Sequence, residues 1–107
     1  MGFFDLFKRK KQSPIHNNYG PLGSSTNPIP VRGVPASYVY VSKLELEDGS
    51  PVDIMRFGSG SVDVCSEIVD FYYAYDSEGK EVGSFIICPY CPETSNMPPA
   101  GFRFKIK

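Results

Sequence analysis

The chain has 107 residues, a formal net charge of −1 and three cysteines, and 41% of it is hydrophobic. That length allows one domain of the usual size of about 100–150 residues, and three cysteines are too few for a disulfide scaffold. The near-neutral charge hides an asymmetry. Residues 1–11 carry Lys8, Arg9, Lys10 and Lys11 against Asp5, whereas residues 12–107 hold seven Lys/Arg and eleven Asp/Glu. A mildly acidic body lacks the clustered cations from which affinity for a phosphate backbone comes, so no nucleic-acid role is expected. No stretch is apolar for 18 residues, so no membrane-spanning helix is predicted.

The first stretch, "MGFFDLFKRKK", puts its apolar part before its charges, the reverse of a secretory signal. With mostly reduced thiols this predicts a cytoplasmic protein. Wound as a helix, Phe3, Phe4, Leu6 and Phe7 make one apolar side, followed by Lys8 and Arg9. Such a tail suits either an anionic membrane surface or a partner. Gly2 does not sit in a myristoylation pattern, because Leu6 stands where Ser or Thr is needed. Residues 12–35, "QSPIHNNYGPLGSSTNPIPVRGVP", have neither helical nor strand periodicity and read as an extended arm with polyproline character near Pro28, Pro30 and Pro35. Its few apolar residues could still lie along a sheet. The division expected is a tail and arm over 1–33 and a single β domain over 34–107.

From Ser37 to Glu47, Tyr38, Tyr40, Leu44 and Leu46 alternate with Val39, Val41, Lys43 and Glu45, which predicts a half-buried strand. Asp48-Gly49-Ser50 is a hairpin turn signal, since Gly takes positive φ without steric cost, and residues 52–57 are expected to pair back on the first strand. Gly58-Ser59-Gly60-Ser61 reads as a flexible joint and lacks the Lys-Ser/Thr ending of a phosphate-binding loop. In "VDVCSEIVDFYYAYD", residues 62–76, aromatic and β-branched density predicts a strand over 68–75, while 62–67 fits strand and helix equally. Asp76-Ser77-Glu78-Gly79 is a second turn, and "KEVGSFIIC", 80–88, a returning strand. The closing "GFRFKIK" alternates Phe102, Phe104 and Ile106 with cations, as a terminal strand with one face buried does. The fold class expected is mainly β: a small antiparallel meander of about five strands, forming a curved sheet or partly open barrel, with a short helix near 62–68 as the variant.

Cys88-Pro89-Tyr90-Cys91 resembles the glutaredoxin active site in those four letters alone. The first thiol there is activated at a helix N-terminus. Here Pro92, Pro98 and Pro99 follow and deny that helix, because an interior Pro removes a backbone donor and clashes with the preceding turn. A metal knuckle is the other chemical reading. Cys-x-x-Cys is half of a tetrahedral zinc site, and Cys65 and His16 are the remaining candidates for its ligands. Whether Cys65 reaches Cys88 and Cys91 depends on strand register. Failing that, the cysteines are small apolar residues of a core and a loop.

The lone His16 lies in the arm and the carboxylates show no fixed spacing, so no enzyme, no cofactor and no small-molecule substrate are expected. Tyr73, Tyr75 and Tyr90 are the candidate partner-binding residues, since Tyr brings large contact area at little entropic cost. The function expected is a non-enzymatic protein-interaction module that engages a protein partner or a second copy of itself. The alternatives are a zinc-binding or thiol protein using Cys65, Cys88 and Cys91, and a membrane-peripheral protein held by residues 1–11.

Overall fold

A computed structural model of the chain describes residues 20–106. The tail residues Phe3, Phe4, Phe7, Lys8 and Arg9, and the candidate ligand His16, lie outside the described residues. In chain order the elements are β1 (Ile29–Pro30), α1 (Val34–Ser42), β2 (Leu44–Leu46), β3 (Asp53–Val62), β4 (Cys65–Tyr75), β5 (Glu81–Cys88) and β6 (Phe102–Phe104). The architecture is mainly β, as the sequence indicates. A four-stranded sheet has the order β1-β5-β4-β3, β2 and β6 form a separate antiparallel pair, and neither closes into a barrel.

Of the two readings left open for 62–67 the strand forms, and in place of the variant helix near 62–68 there is a tight hairpin: Val62 pairs with Cys65 and only Asp63 and Val64 turn the chain. The helix that does form, α1, occupies most of the segment expected to be the first strand. Gly33 precedes it with φ 97°, which a residue with a side chain resists, and Pro35 falls in its first turn, where a missing N–H costs nothing. Ser37, Tyr40 and Leu44 are its buried positions along the chain into β2, a spacing of three and four residues rather than two. Valine and tyrosine content suggested a strand; burial on one helical stripe decides for the helix.

The turn at Asp48-Gly49 forms, with Gly49 at φ 89° and Asp48 Oδ1 accepting from the Ser50 N–H at 2.9 Å. Residues 52–57 do not return along the first element, however. Pro51 has no N–H for a continuing ladder, and the chain crosses to the large sheet, where β3 pairs with β4. β2 takes β6 as its partner instead, and Arg103 Nε donates to Glu45 Oε2 at 2.6 Å across that pair. Phe102 is buried on this strand, whereas Ile106 lies beyond it and is 81% exposed, so the terminal alternation stops at Phe104.

Gly58-Ser59-Gly60-Ser61 is also not a joint but the middle of β3. Gly60 makes room for an aromatic ring: a Cβ there would come within 2.8 Å of Phe71 Cε2 on β4. Gly58 pairs with Phe71, and the Phe71 ring leans over Gly60, where there is no side chain to pack.

The described part of the arm, from residue 20 on, belongs to the packed unit. β1 pairs in parallel with the end of β5, and Ile29 and Val31 are fully buried. The core lies between the face of the sheet carrying Tyr72, Ala74, Phe85 and Ile87 and the layer made by α1, β2 and β6, with Tyr40, Leu44 and Phe102 filling it. Tyr72 stacks on Phe85 at 5.4 Å between ring centroids, and Phe102 meets Phe85 edge-on at 5.5 Å.

Candidate functional site

The prolines that stiffen residues 88–99 leave that loop short of donors, and the arm supplies them. The Val31 N–H donates to the Cys88 carbonyl at 2.9 Å and the Gly33 N–H to the Pro89 carbonyl at 2.7 Å. In the other direction Cys91 N–H donates to the Val31 carbonyl at 3.0 Å and Ser95 N–H to the Pro30 carbonyl at 2.8 Å. Arg32 N–H closes the seam on Thr94 Oγ1 at 3.0 Å. Arm and loop thus hold each other, and this fixes Cys88 at the end of β5 and Cys91 three residues further on.

Cys65 opens β4 just after the Asp63-Val64 turn, and the β4–β5 pairing carries it to the same end of the sheet as Cys88. The three sulfurs converge. Cys65 Sγ lies 2.8 Å from Cys88 Sγ, and Cys91 Sγ lies 3.4 Å from Cys88 Sγ. Cys88 is the shared neighbour and is nearly sealed at 6% exposure, while Cys65 and Cys91 are half-buried.

The cluster's electrostatics differ from sulfur to sulfur. Burial, with the Cys88 sulfur adding to it, pushes the Cys65 thiol up to about 11. Cys88 is raised as well, by its hydrogen bond with Cys91 and by burial. The same hydrogen bond holds Cys91 below the usual thiol range. Backbone N–H groups of Glu67 and Tyr90 also favour anionic sulfur at Cys65 and Cys88 without outweighing burial. Cys91 is therefore the readiest thiolate of the three.

Sulfurs on a tetrahedral zinc ion would stand about 3.8 Å apart, from Zn–S bonds of about 2.3 Å. The Cys65–Cys88 separation of 2.8 Å is well inside that and also inside non-bonded contact, while still longer than a disulfide bond of about 2.05 Å. Among the described residues no group of three or more His, Cys, Asp or Glu side chains is arranged to hold a metal ion.

Of the three candidate tyrosines, Tyr73 and Tyr90 line two separate recesses. Tyr73 pairs with Met55 and Ser84 on the face of the sheet away from the core, where it meets Phe57 edge-on at 5.1 Å. A groove of about 540 Å³ opens there, lined by Leu22, Phe57, Phe71, Tyr73, Ile86 and Ala100 among others. Tyr90 instead lines a recess of about 210 Å³ with Tyr38, Tyr72 and Arg56, whose guanidinium donates to Ser59 Oγ at 2.8 Å and Asp70 Oδ1 at 3.3 Å. Tyr75 lies at the opposite end of β4 from Cys65, paired with Asp53 and Glu81, and lines neither recess. The sequence reading missed Phe57 and Met55, which are 71% and 56% exposed. Met55 faces outward by ordinary alternation opposite Tyr73, and the register shift between Arg56 and Gly58 explains Phe57: it is the extra residue of a bulge, and a bulge re-aims its side chain.

Comparison with protein-family models, with curated proteins and with solved structures gives no match. No helix among the described residues is long and apolar enough to cross a membrane.

Proposed function

We propose that this chain is a non-enzymatic protein-interaction module that receives an extended segment of a protein partner along β3 and in the groove beside it. The observation that carries the reading is Phe57, a large apolar side chain 71% exposed at the rim of an apolar groove. Natural surfaces seldom leave such side chains clustered without use, and Met55 and Tyr73 adjoin it. β3 is the last strand in the sheet order, so one row of its backbone donors and acceptors faces away from the sheet. An added strand would find main-chain hydrogen bonds on that edge, and side chains turned over Phe57 would find room in the groove, which runs from Phe57 across β4 and β5 and has a volume in the usual range for ligand sites.

Selection of a displayed library of linear peptides on the full chain tests this, with Phe57→Ser as the counter-target. Selected peptides should carry apolar residues at alternate positions, and Phe57→Ser should weaken them at least tenfold in calorimetry while leaving the thermal midpoint unchanged. Peptides that bind the variant equally well would sink the proposal. A concentration-dependent dimer that Phe57→Ser abolishes would replace the partner segment with a second copy of the chain.

A further inference from the structure

The interaction reading leaves the three converging thiols unused. They are drawn together by two different pieces of tertiary structure, the β4–β5 register and the seam between arm and loop. We propose that Cys65, Cys88 and Cys91 form a thiol–disulfide relay in which oxidation enters at Cys91 and comes to rest as a Cys65–Cys88 bond across the sheet.

Three observations support this order. Cys88 is in contact with both other sulfurs, so it is the atom through which a bond can change hands. Cys65 is the nearer of its neighbours, 2.8 Å against 3.4 Å, and reaching disulfide length requires less than about 1 Å of approach. Cys65 and Cys91 are half-buried while Cys88 is sealed, so an external oxidant meets one of the two flanking sulfurs first, and of these Cys91 is the readier thiolate.

The chemistry balances with a small-molecule disulfide, RSSR, as oxidant. The Cys91 thiolate attacks one sulfur of RSSR, forming a mixed disulfide and expelling one RS⁻. Cys88 gives up its proton, attacks Cys91 Sγ, expels the second RS⁻ and leaves a Cys88–Cys91 bond. The deprotonated Cys65 sulfur then attacks Cys88 Sγ, and the Cys91 thiolate departs. That last step follows the geometry, since Cys65 Sγ is already the nearer neighbour of Cys88 Sγ, 2.8 Å against 3.4 Å, and attacks the sulfur it touches. In sum two protein thiols lose two electrons and two protons, and RSSR becomes two RSH. The product ties the tip of the β3–β4 hairpin to the loop that the arm already grips, so the oxidised chain has its arm, loop and hairpin joined.

The test uses the full chain, equilibrated against mixtures of reduced and oxidised glutathione, quenched with an alkylating agent and peptide-mapped. The expected result is one intramolecular disulfide, Cys65–Cys88, with Cys91 alkylated and the chain two hydrogens lighter. Cys91→Ser should slow formation of that bond at least tenfold and still reach it. Cys65→Ser should stop at a Cys88–Cys91 bond or at glutathione on Cys91. The proposal is overturned if wild type ends on Cys88–Cys91, if only intermolecular disulfides form, or if all three cysteines are alkylated at the most oxidising ratio. It is equally overturned if metal analysis finds one zinc ion per chain protecting the thiols from glutathione disulfide. Peptide binding at Phe57 involves none of these residues, so failure of either idea leaves the other standing.

Discussion

Truncating Ile29 to Ala tests the least expected feature of the fold, a proline-rich arm that helps to make the core. Ile29 is completely buried, and the change deletes three carbons. At about 0.8 kcal/mol per buried methylene, the transfer contribution is about 2.4 kcal/mol. A cavity contribution adds to it, because the surroundings cannot collapse freely. Gly23, at φ 101°, packs within 3.6 Å of Ile29 Cδ1 when given a Cβ, and it is itself wedged between Phe85 and Pro99. A total loss of about 3–4 kcal/mol follows, within the range measured for such truncations. For a domain of this size that is a large part of the whole stability. Urea denaturation followed by far-UV circular dichroism should show the midpoint falling at constant slope. Met55→Ala, at an exposed strand position, is the control and should stay within about 0.5 kcal/mol. A loss of under about 1 kcal/mol for Ile29→Ala would refute the placement of the arm in the core.

Tyr40→Phe removes the hydroxyl that donates to the Met97 carbonyl at 2.7 Å; Ser95 Oγ still donates to that carbonyl, so the cost should be about 1 kcal/mol in the same assay. Gly60→Ala forces the Phe71 ring to move, and a loss of about 1–3 kcal/mol with shifted Phe71 ring resonances is expected; an unperturbed ring would show that the glycine is not needed for close approach. Iodoacetamide at about pH 8 should label Cys91 ahead of Cys65, because the thiolate is the reactive form, and peptide mapping that found Cys65 first would contradict the assigned electrostatics. Stability should fall as pH rises from the ordinary thiol value of 9.0 toward about 11: Cys65, with Cys88 and Tyr40 raised in the same direction, keeps its proton in the folded chain where the unfolded chain has lost it. A flat midpoint across that window would contradict the burial of these groups.

How much was legible can be judged residue by residue. The strands over 68–75, 80–88 and 102–104 and the Asp76–Gly79 turn were readable because their information is local: β-branched and aromatic side chains in alternation, and a glycine where φ must be positive. Val34–Ser42 misled because its residue types favour a strand while its burial stripe favours a helix. Gly33 and Pro35, which start the helix, read in the sequence as the end of the polyproline-like arm. Gly58-Ser59-Gly60-Ser61 misled in the opposite way, since glycine in a strand makes sense only once Phe71 is seen to lie over it. Tyr73 was recognisable as a surface candidate, but its partner Phe57 was not, because a bulge is a property of two paired strands.

The sequence by itself therefore determined a mainly β chain, its later strands and turns, and a proline-rich loop that cannot carry a helix-activated dithiol. Tertiary structure decided the rest: that the arm is core, that an aromatic groove flanks the edge strand, and above all that Cys65 meets Cys88. The reason is one of range. Strand propensity and turn chemistry act over a few residues, whereas a contact 23 residues apart in the chain exists only through strand register and the hydrogen bonds that clamp the loop.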